Sequence, residues 1–76
     1  MAQARIGQRY QKLDGFALRS IWEVIRVEAD LNGIRHCHII DVSDQTNIKL
    51  IAEATLTKRR FYRLVASPAE ALETVE

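Results

Sequence analysis

Two clusters in this chain hold residue types that could do chemistry. One is His36-Cys37-His38, and the other is Lys58-Arg59-Arg60 running into Phe61-Tyr62-Arg63. The first offers metal ligands, or a thiol with a base. Histidines two apart share a face if they lie on a strand, and the cysteine between them points the opposite way. Two histidines make half of a tetrahedral zinc site, which needs three or four protein ligands, and Asp41 falls on the cysteine's side. A thiolate nucleophile needs its base within hydrogen-bond reach, and adjacent strand side chains diverge. Cys37 therefore reads as a small buried hydrophobe. One histidine reads as partly buried and hydrogen-bonded, the other as a surface residue. Glu23, Glu28, Asp30 and Asp41 are scattered among bases, and the three glycines are isolated, so neither a carboxylate pair nor a phosphate loop is present. The expectation is a chain with no catalytic residue, no metal, no cofactor and no enzymatic activity.

The second cluster is more suggestive. Basic side chains beside aromatic rings suit single-stranded nucleic acid, with cations on the phosphates and rings under the bases. The competing reading puts Phe61 and Tyr62 in the core and leaves residues 58–60 to solvate a tight turn. The candidate partner-binding residues are Lys58, Arg59, Arg60, Arg63 and Tyr62. Arg9 and Lys12 extend this patch with Arg63 if the first and last strands pair. Net charge is +1, but residues 1–65 hold all eleven bases and seven of the ten acids, hence +4. The rest carries Glu70, Glu73 and Glu76 and no base. An excess of +4 is modest for a dedicated nucleic-acid binder, and the acidic end opposes phosphate binding. Protein–protein contact is favoured, with nucleic-acid binding as the alternative. Apolar residues Phe16, Leu18 and Leu72 offer a face for a partner or for a homodimer.

The elements that must position these residues are short. Residues 1–6 read as a disordered start. A first strand lies in residues 7–13, with Tyr10 as its inward anchor, and Asp14-Gly15 marks a turn. Two readings compete over residues 18–31. Leu18, Ile21, Trp22, Ile25 and Ala29 fit a helical stripe, with Ser20 and Glu23 as a capping box and Gly33 as a stop. Against that stand the β-branched and aromatic residues Ile21, Trp22, Val24, Ile25 and Val27. Asn32-Gly33 between two apolar runs also suits a type I′ hairpin turn. The strand reading is favoured, with a bulge near Ile25-Arg26 to bring Val27 onto the face of Trp22 and Val24. Ile34 to Val42 forms the second arm, with Ile34, His36, His38, Ile40 and Val42 on one face and Arg35, Cys37, Ile39 and Asp41 on the other. Residues 43–47 read as a polar turn. Ile48, Leu50, Ala52 and Ala54 alternate as a fourth strand, with a helix over residues 47–58 as the rival. Residues 54–60 read as a tight or 3₁₀ turn with Leu56 beneath it, and residues 61–65 as a last strand. Ser67-Pro68-Ala69-Glu70 starts a short helix, with Ala69, Leu72 and Val75 on one face.

The length of 76 residues gives one domain. A domain of this size buries only about 60% of its unfolded surface, so its stability depends on good packing. One cysteine cannot form an internal disulfide, which suits a reducing compartment. No apolar leader and no run of about 20 apolar residues is present, so a soluble cytoplasmic protein without membrane contact is expected.

The strand order, with Gly7-Gln8-Arg9-Tyr10, Trp22-Glu23-Val24, Gly33 with His36 three residues on, Leu56, and Phe61-Tyr62-Arg63-Leu64-Val65, resembles small SH3-like barrels of bacterial and phage proteins. The resemblance covers about residues 7–65. It implies a mainly β, five-stranded SH3-like barrel at 7–65, preceded by residues 1–6 and followed by an acidic tail with a short helix at 66–76. Such barrels as a group bind peptides, nucleic acids or other proteins. The dense aromatic and acidic cluster that takes proline-rich ligands is missing here.

Overall fold

A computed structural model describes residues 3–13 and 20–68 of the chain. Among the described residues, five strands and one short helix follow in order: β1 (Arg9–Lys12), β2 (Ile21–Ala29), β3 (Arg35–Asp41), β4 (Asp44–Ala52), α1 (Glu53–Leu56) and β5 (Tyr62–Ala66). The strands form one antiparallel sheet in the order β4-β3-β2-β1-β5. β4 and β5 are its edges, and no ladder joins them among the described residues. No helix of the described residues is long and apolar enough to cross a membrane. Asp14-Gly15, Phe16, Leu18 and the helix expected beyond Pro68, including Leu72, lie outside the described residues.

Residues 21–29 are strand, so the β-branched run prevails over the helical stripe. The register explains how one strand serves the core along its length. Val24 lies opposite Ile39 and Val27 opposite Cys37, with the expected irregularity between Val24 and Arg26. That extra residue returns Val27 to the face of Trp22 and Val24 and turns Ile25 outward. Trp22 is buried, and its indole N–H donates to Ser20 Oγ at 2.8 Å. The Lys49 ammonium sits 4.5 Å from the Trp22 ring centroid. An apolar ring face and a cation at this separation attract each other through the ring quadrupole.

The β2–β3 connection differs from the expected type I′ turn. That turn needs two residues at positive φ, and Gly33 (φ 81°) is the only residue of this loop that has one. The loop spans residues 31–33 instead, closed by Asp30 N–H to Ile34 O and Gly33 N–H to Asp30 O, both 2.9 Å. Asp30 makes the difference, because its Oδ1 accepts the N–H groups of Asn32 (2.8 Å) and Ile34 (3.0 Å). An acidic side chain at the start of a turn satisfies backbone donors that the loop would leave bare.

β4 begins at Asp44, earlier than expected, and the polar turn contracts to Val42 and Ser43. Asp41 Oδ1 holds that turn by accepting the N–H and hydroxyl of Ser43, each at 2.9 Å. Polar residues can form strand here because β4 is an edge and residues 44–48 are exposed. β4 ends at Ala52, and a single helical turn replaces both the last strand residues and the rival long helix. Leu56 on that turn is fully buried, as expected.

The core comprises Ala4, Tyr10, Trp22, Val24, Cys37, Ile39, Leu56 and Tyr62, with Val27, Ile51 and Phe61 packed against it. On β3 the Cys37–Ile39 face turns inward, and His36 and His38 turn outward. Within residues 3–6, read from sequence as part of a disordered start, Ala4 belongs to this core. Ala4 is buried, its N–H donates to Glu53 Oε2 at 2.7 Å, and Arg35 Nη2 reaches its carbonyl at 3.4 Å.

Gly7 joins this segment to β1 at φ 95°, and its N–H donates to Val24 O at 2.8 Å. A Cβ at Gly7 would stand 2.6 Å from Pro68 Cγ. Gly7→Ala therefore meets both a strained φ and a clash, and is expected to cost about 1–3 kcal/mol. Urea unfolding of the two proteins measures it.

Candidate binding cleft

Strand β5 and the turn before it bring the second sequence cluster together. Lys58 O accepts the N–H groups of Phe61 (3.0 Å) and Tyr62 (3.1 Å), which folds the basic turn tightly. Lys58, Arg59, Arg60 and Arg63 are exposed. Tyr62 is only 6% exposed, so it acts as a wall of the core and not as an open ring face. Phe61 is partly buried, with the Arg60 guanidinium 6.0 Å from its centroid.

Beside this turn lies a cleft of about 590 Å³. Tyr10, Tyr62 and Leu64 supply its apolar side, and Gln3, Gln8, Thr57, Arg59 and Arg63 supply polar groups. Of the five residues singled out from sequence, Arg59, Tyr62 and Arg63 border the cleft, and Lys58 and Arg60 do not. β1 and β5 do pair, with Gln11 opposite Arg63 and Lys12 opposite Tyr62. The basic patch is nevertheless smaller than that pairing suggested. Arg9 is engaged by Glu23 (Nε–Oε1 2.9 Å), and Arg63 Nη2 donates to Gln11 Oε1 at 2.9 Å. Arg59 has no ion pair among the described residues.

Gln3, Gln8, Tyr10, Thr57 and Leu64 are cleft residues that sequence reasoning did not place at a site, and Gln8 and Leu64 are the most telling of them. Gln8 is buried although polar, and its Oε1 accepts from Arg5 N–H (2.8 Å) and from Tyr10 O–H (3.1 Å). With the oxygen committed, its amide nitrogen remains as a donor. Leu64 is 49% exposed because it sits on an edge strand. Nothing in a lone glutamine or a strand leucine signals such a place.

The first cluster is divided as strand geometry requires. Cys37 is sealed inside, and the histidines stand on the other face of the sheet. His38 Nε2 lies 3.5 Å from Glu28 Oε1 without forming a hydrogen bond, and Glu28 is itself paired with Arg26. No group of three metal-ligating side chains occurs among the described residues. Burial pushes the Cys37 thiol above its ordinary value of 9.0, and the Glu53 carboxylate adds to the rise. Tyr10 is raised by the same causes, burial first and then the charges of Cys37 and Glu53. The folded state thus holds these protons more tightly than the unfolded chain does. Their contribution to stability is complete below the unfolded values and is lost as pH climbs through 9.0 toward the folded ones. Unfolding free energy should fall in that alkaline range, and native Cys37 should resist thiol reagents that label the urea-unfolded chain at once.

Compared with known proteins, the chain matches no family model, and neither the curated proteins nor the solved structures yield a match.

Proposed function

We propose that the chain is a small SH3-like barrel acting as a non-enzymatic binding module, which contacts a partner protein through β5 and the turn before it. The observation that carries this reading is the cleft of Tyr10, Tyr62 and Leu64 with Arg59 at its border. A concave apolar site bordered by an arginine suits the anchoring side chain of a partner protein, since such anchors fill pockets at the centre of an interface. Nucleic-acid binding is the second reading, favoured by the four exposed cations at 58, 59, 60 and 63. It is weakened by the burial of Tyr62, since a base needs an open ring face on which to stack.

A photo-crosslinking side chain at Leu64, compared with one at Ile48 on the far edge strand, tests the reading in cells that make the protein. A discrete protein adduct from position 64 and none from position 48 supports it. Adducts of equal yield from both positions contradict it. Titration with single-stranded and duplex oligonucleotides at low ionic strength addresses the second reading. Binding that weakens steeply with salt, and is lost on charge reversal of residues 58–60, would establish it.

A further inference from the structure

The outer edge of β5 has no strand partner among the described residues. The ladder with β1 shows which backbone groups face that edge. Leu13 N–H donates to Phe61 O, and Gln11 lies opposite Arg63. Bonded pairs alternate along an antiparallel ladder, so residues 61 and 63 turn their groups toward β1, and 62 and 64 turn theirs outward. The Tyr62 N–H is already taken by Lys58 O. The N–H and C=O of Leu64 remain at the open edge, beside a half-exposed leucine side chain.

The cleft next to this edge has a definite electrostatic character. None of its lining residues is an acid, and Arg59 is an arginine without an ion pair among the described residues. The Gln8 oxygen is occupied by Arg5 and Tyr10, which leaves a donor. A site rich in donors and positive charge complements an anionic ligand, and a guanidinium is suited to a carboxylate. A phosphate would satisfy Arg59 as well, but the buried Tyr62 ring gives a nucleotide nothing to stack on.

We propose that the cleft takes an extended acidic segment of a partner protein, added along β5 as a further strand. Its main chain would bond to Leu64, an apolar side chain would lie on the half-exposed Leu64, and a carboxylate would meet Arg59. The proposal rests on the protein-contact reading above and supplies the partner's chemistry. Strand addition draws affinity from the main chain and specificity from alternate side chains.

The probe is a library of N-acetylated, C-amidated heptapeptides screened against the purified chain. Enrichment of Asp or Glu at one position and of an apolar residue at an alternate one is expected. In the best heptapeptide, N-methylation of backbone amides should weaken binding about tenfold at positions of one parity and spare the other. Arg59→Glu should shift the selection from acidic toward basic residues, and Leu64→Asp should abolish it. Both residues are exposed, so both variants should fold. A heptapeptide that binds regardless of N-methylation and of Arg59→Glu overturns strand addition on an acidic segment, and leaves protein contact standing. No enriched heptapeptide, with no oligonucleotide bound, overturns the proposal alone. No enriched heptapeptide together with salt-sensitive oligonucleotide binding overturns both this proposal and the reading beneath it.

Discussion

Leu56→Ala is expected to bring the protein close to unfolding. Leu56 is fully buried and sits on a helix of only four residues, Glu53–Leu56. A helix that short has no stability of its own and persists only because its side chains are held. No side chain caps its start, and its end is tied by Thr57, whose N–H (3.0 Å) and hydroxyl (2.8 Å) both donate to Glu53 O. Leu56 is therefore the apolar anchor of the helix on the sheet, beside the polar tie of Glu53 to Arg35. Removing the side chain forfeits its transfer energy and leaves a cavity, about 3–5 kcal/mol for a fully buried leucine. A chain of 76 residues has a total stability of roughly 4–11 kcal/mol at the usual value per residue. The substitution therefore removes a large share of it. Urea unfolding followed by Trp22 fluorescence would measure the loss. Leu56→Met, which conserves volume, should cost less than about 1.5 kcal/mol. A loss below about 1 kcal/mol for Leu56→Ala would mean that the helix is held by something else.

Glu53→Ala is the second substitution with a large expected effect. The Glu53 side chain is 12% exposed and receives Arg35 Nε at 3.0 Å. It also accepts the N–H of buried Ala4 at 2.7 Å. One carboxylate thus joins the start of the chain, β3 and α1. Removing it strands a backbone donor and a guanidinium at once. Complete burial of such a pair would make the loss larger, but Arg35 is 39% exposed and water recovers part of it. About 2–4 kcal/mol is expected for Glu53→Ala, and about 1–2 for Glu53→Gln, which keeps an acceptor for Ala4. The same carboxylate raises the Cys37 and Tyr10 values, so Glu53→Gln should lower the pH at which Cys37 becomes reactive in the folded protein. Unfolding free energies and thiol labelling against pH would check both effects together. Unchanged labelling would mean that the Glu53 charge does not act on Cys37.

The parts of this fold that could be read in the sequence are those where side-chain chemistry and period agree. Tyr10, Trp22, Val24 and Leu56 announce themselves by size and spacing, and the bulge near Ile25 follows from the broken alternation of Val24 and Val27. Other features gave no such signal. Ala4 is too small to mark a core position, yet its N–H and carbonyl are both bound. The start of β4 is written in Asp, Gln, Thr and Asn, because an exposed edge needs no apolar face. Asn32-Gly33 misled on turn type, because the deciding residue is Asp30, two positions earlier.

The candidate site divides along the same line. The basic turn at residues 58–60 was legible as charge, but which cation borders a cleft depends on the direction each takes from a tight turn. Tyr62 was legible as an aromatic beside those cations. Its place in the core was the competing reading of residues 61 and 62, and the burial of its ring decides for that reading at Tyr62. His36, Cys37 and His38 drew attention by type, and strand alternation alone was enough to separate them.

The central claim is that a cleft, and not a diffuse field of positive charge, is the working surface. Single charge reversals at Lys58, Arg59, Arg60 and Arg63 test it most directly. Each variant would be assayed for binding the partner captured by crosslinking from position 64, with stability confirmed by urea unfolding. Arg59→Glu is expected to weaken binding most, by tenfold or more, about 1.4 kcal/mol. Lys58→Glu and Arg60→Glu, outside the cleft, should change it by less than about threefold. Equal losses at all four positions, growing as salt is lowered, would contradict the claim and return the surface to a nonspecific polyanion site.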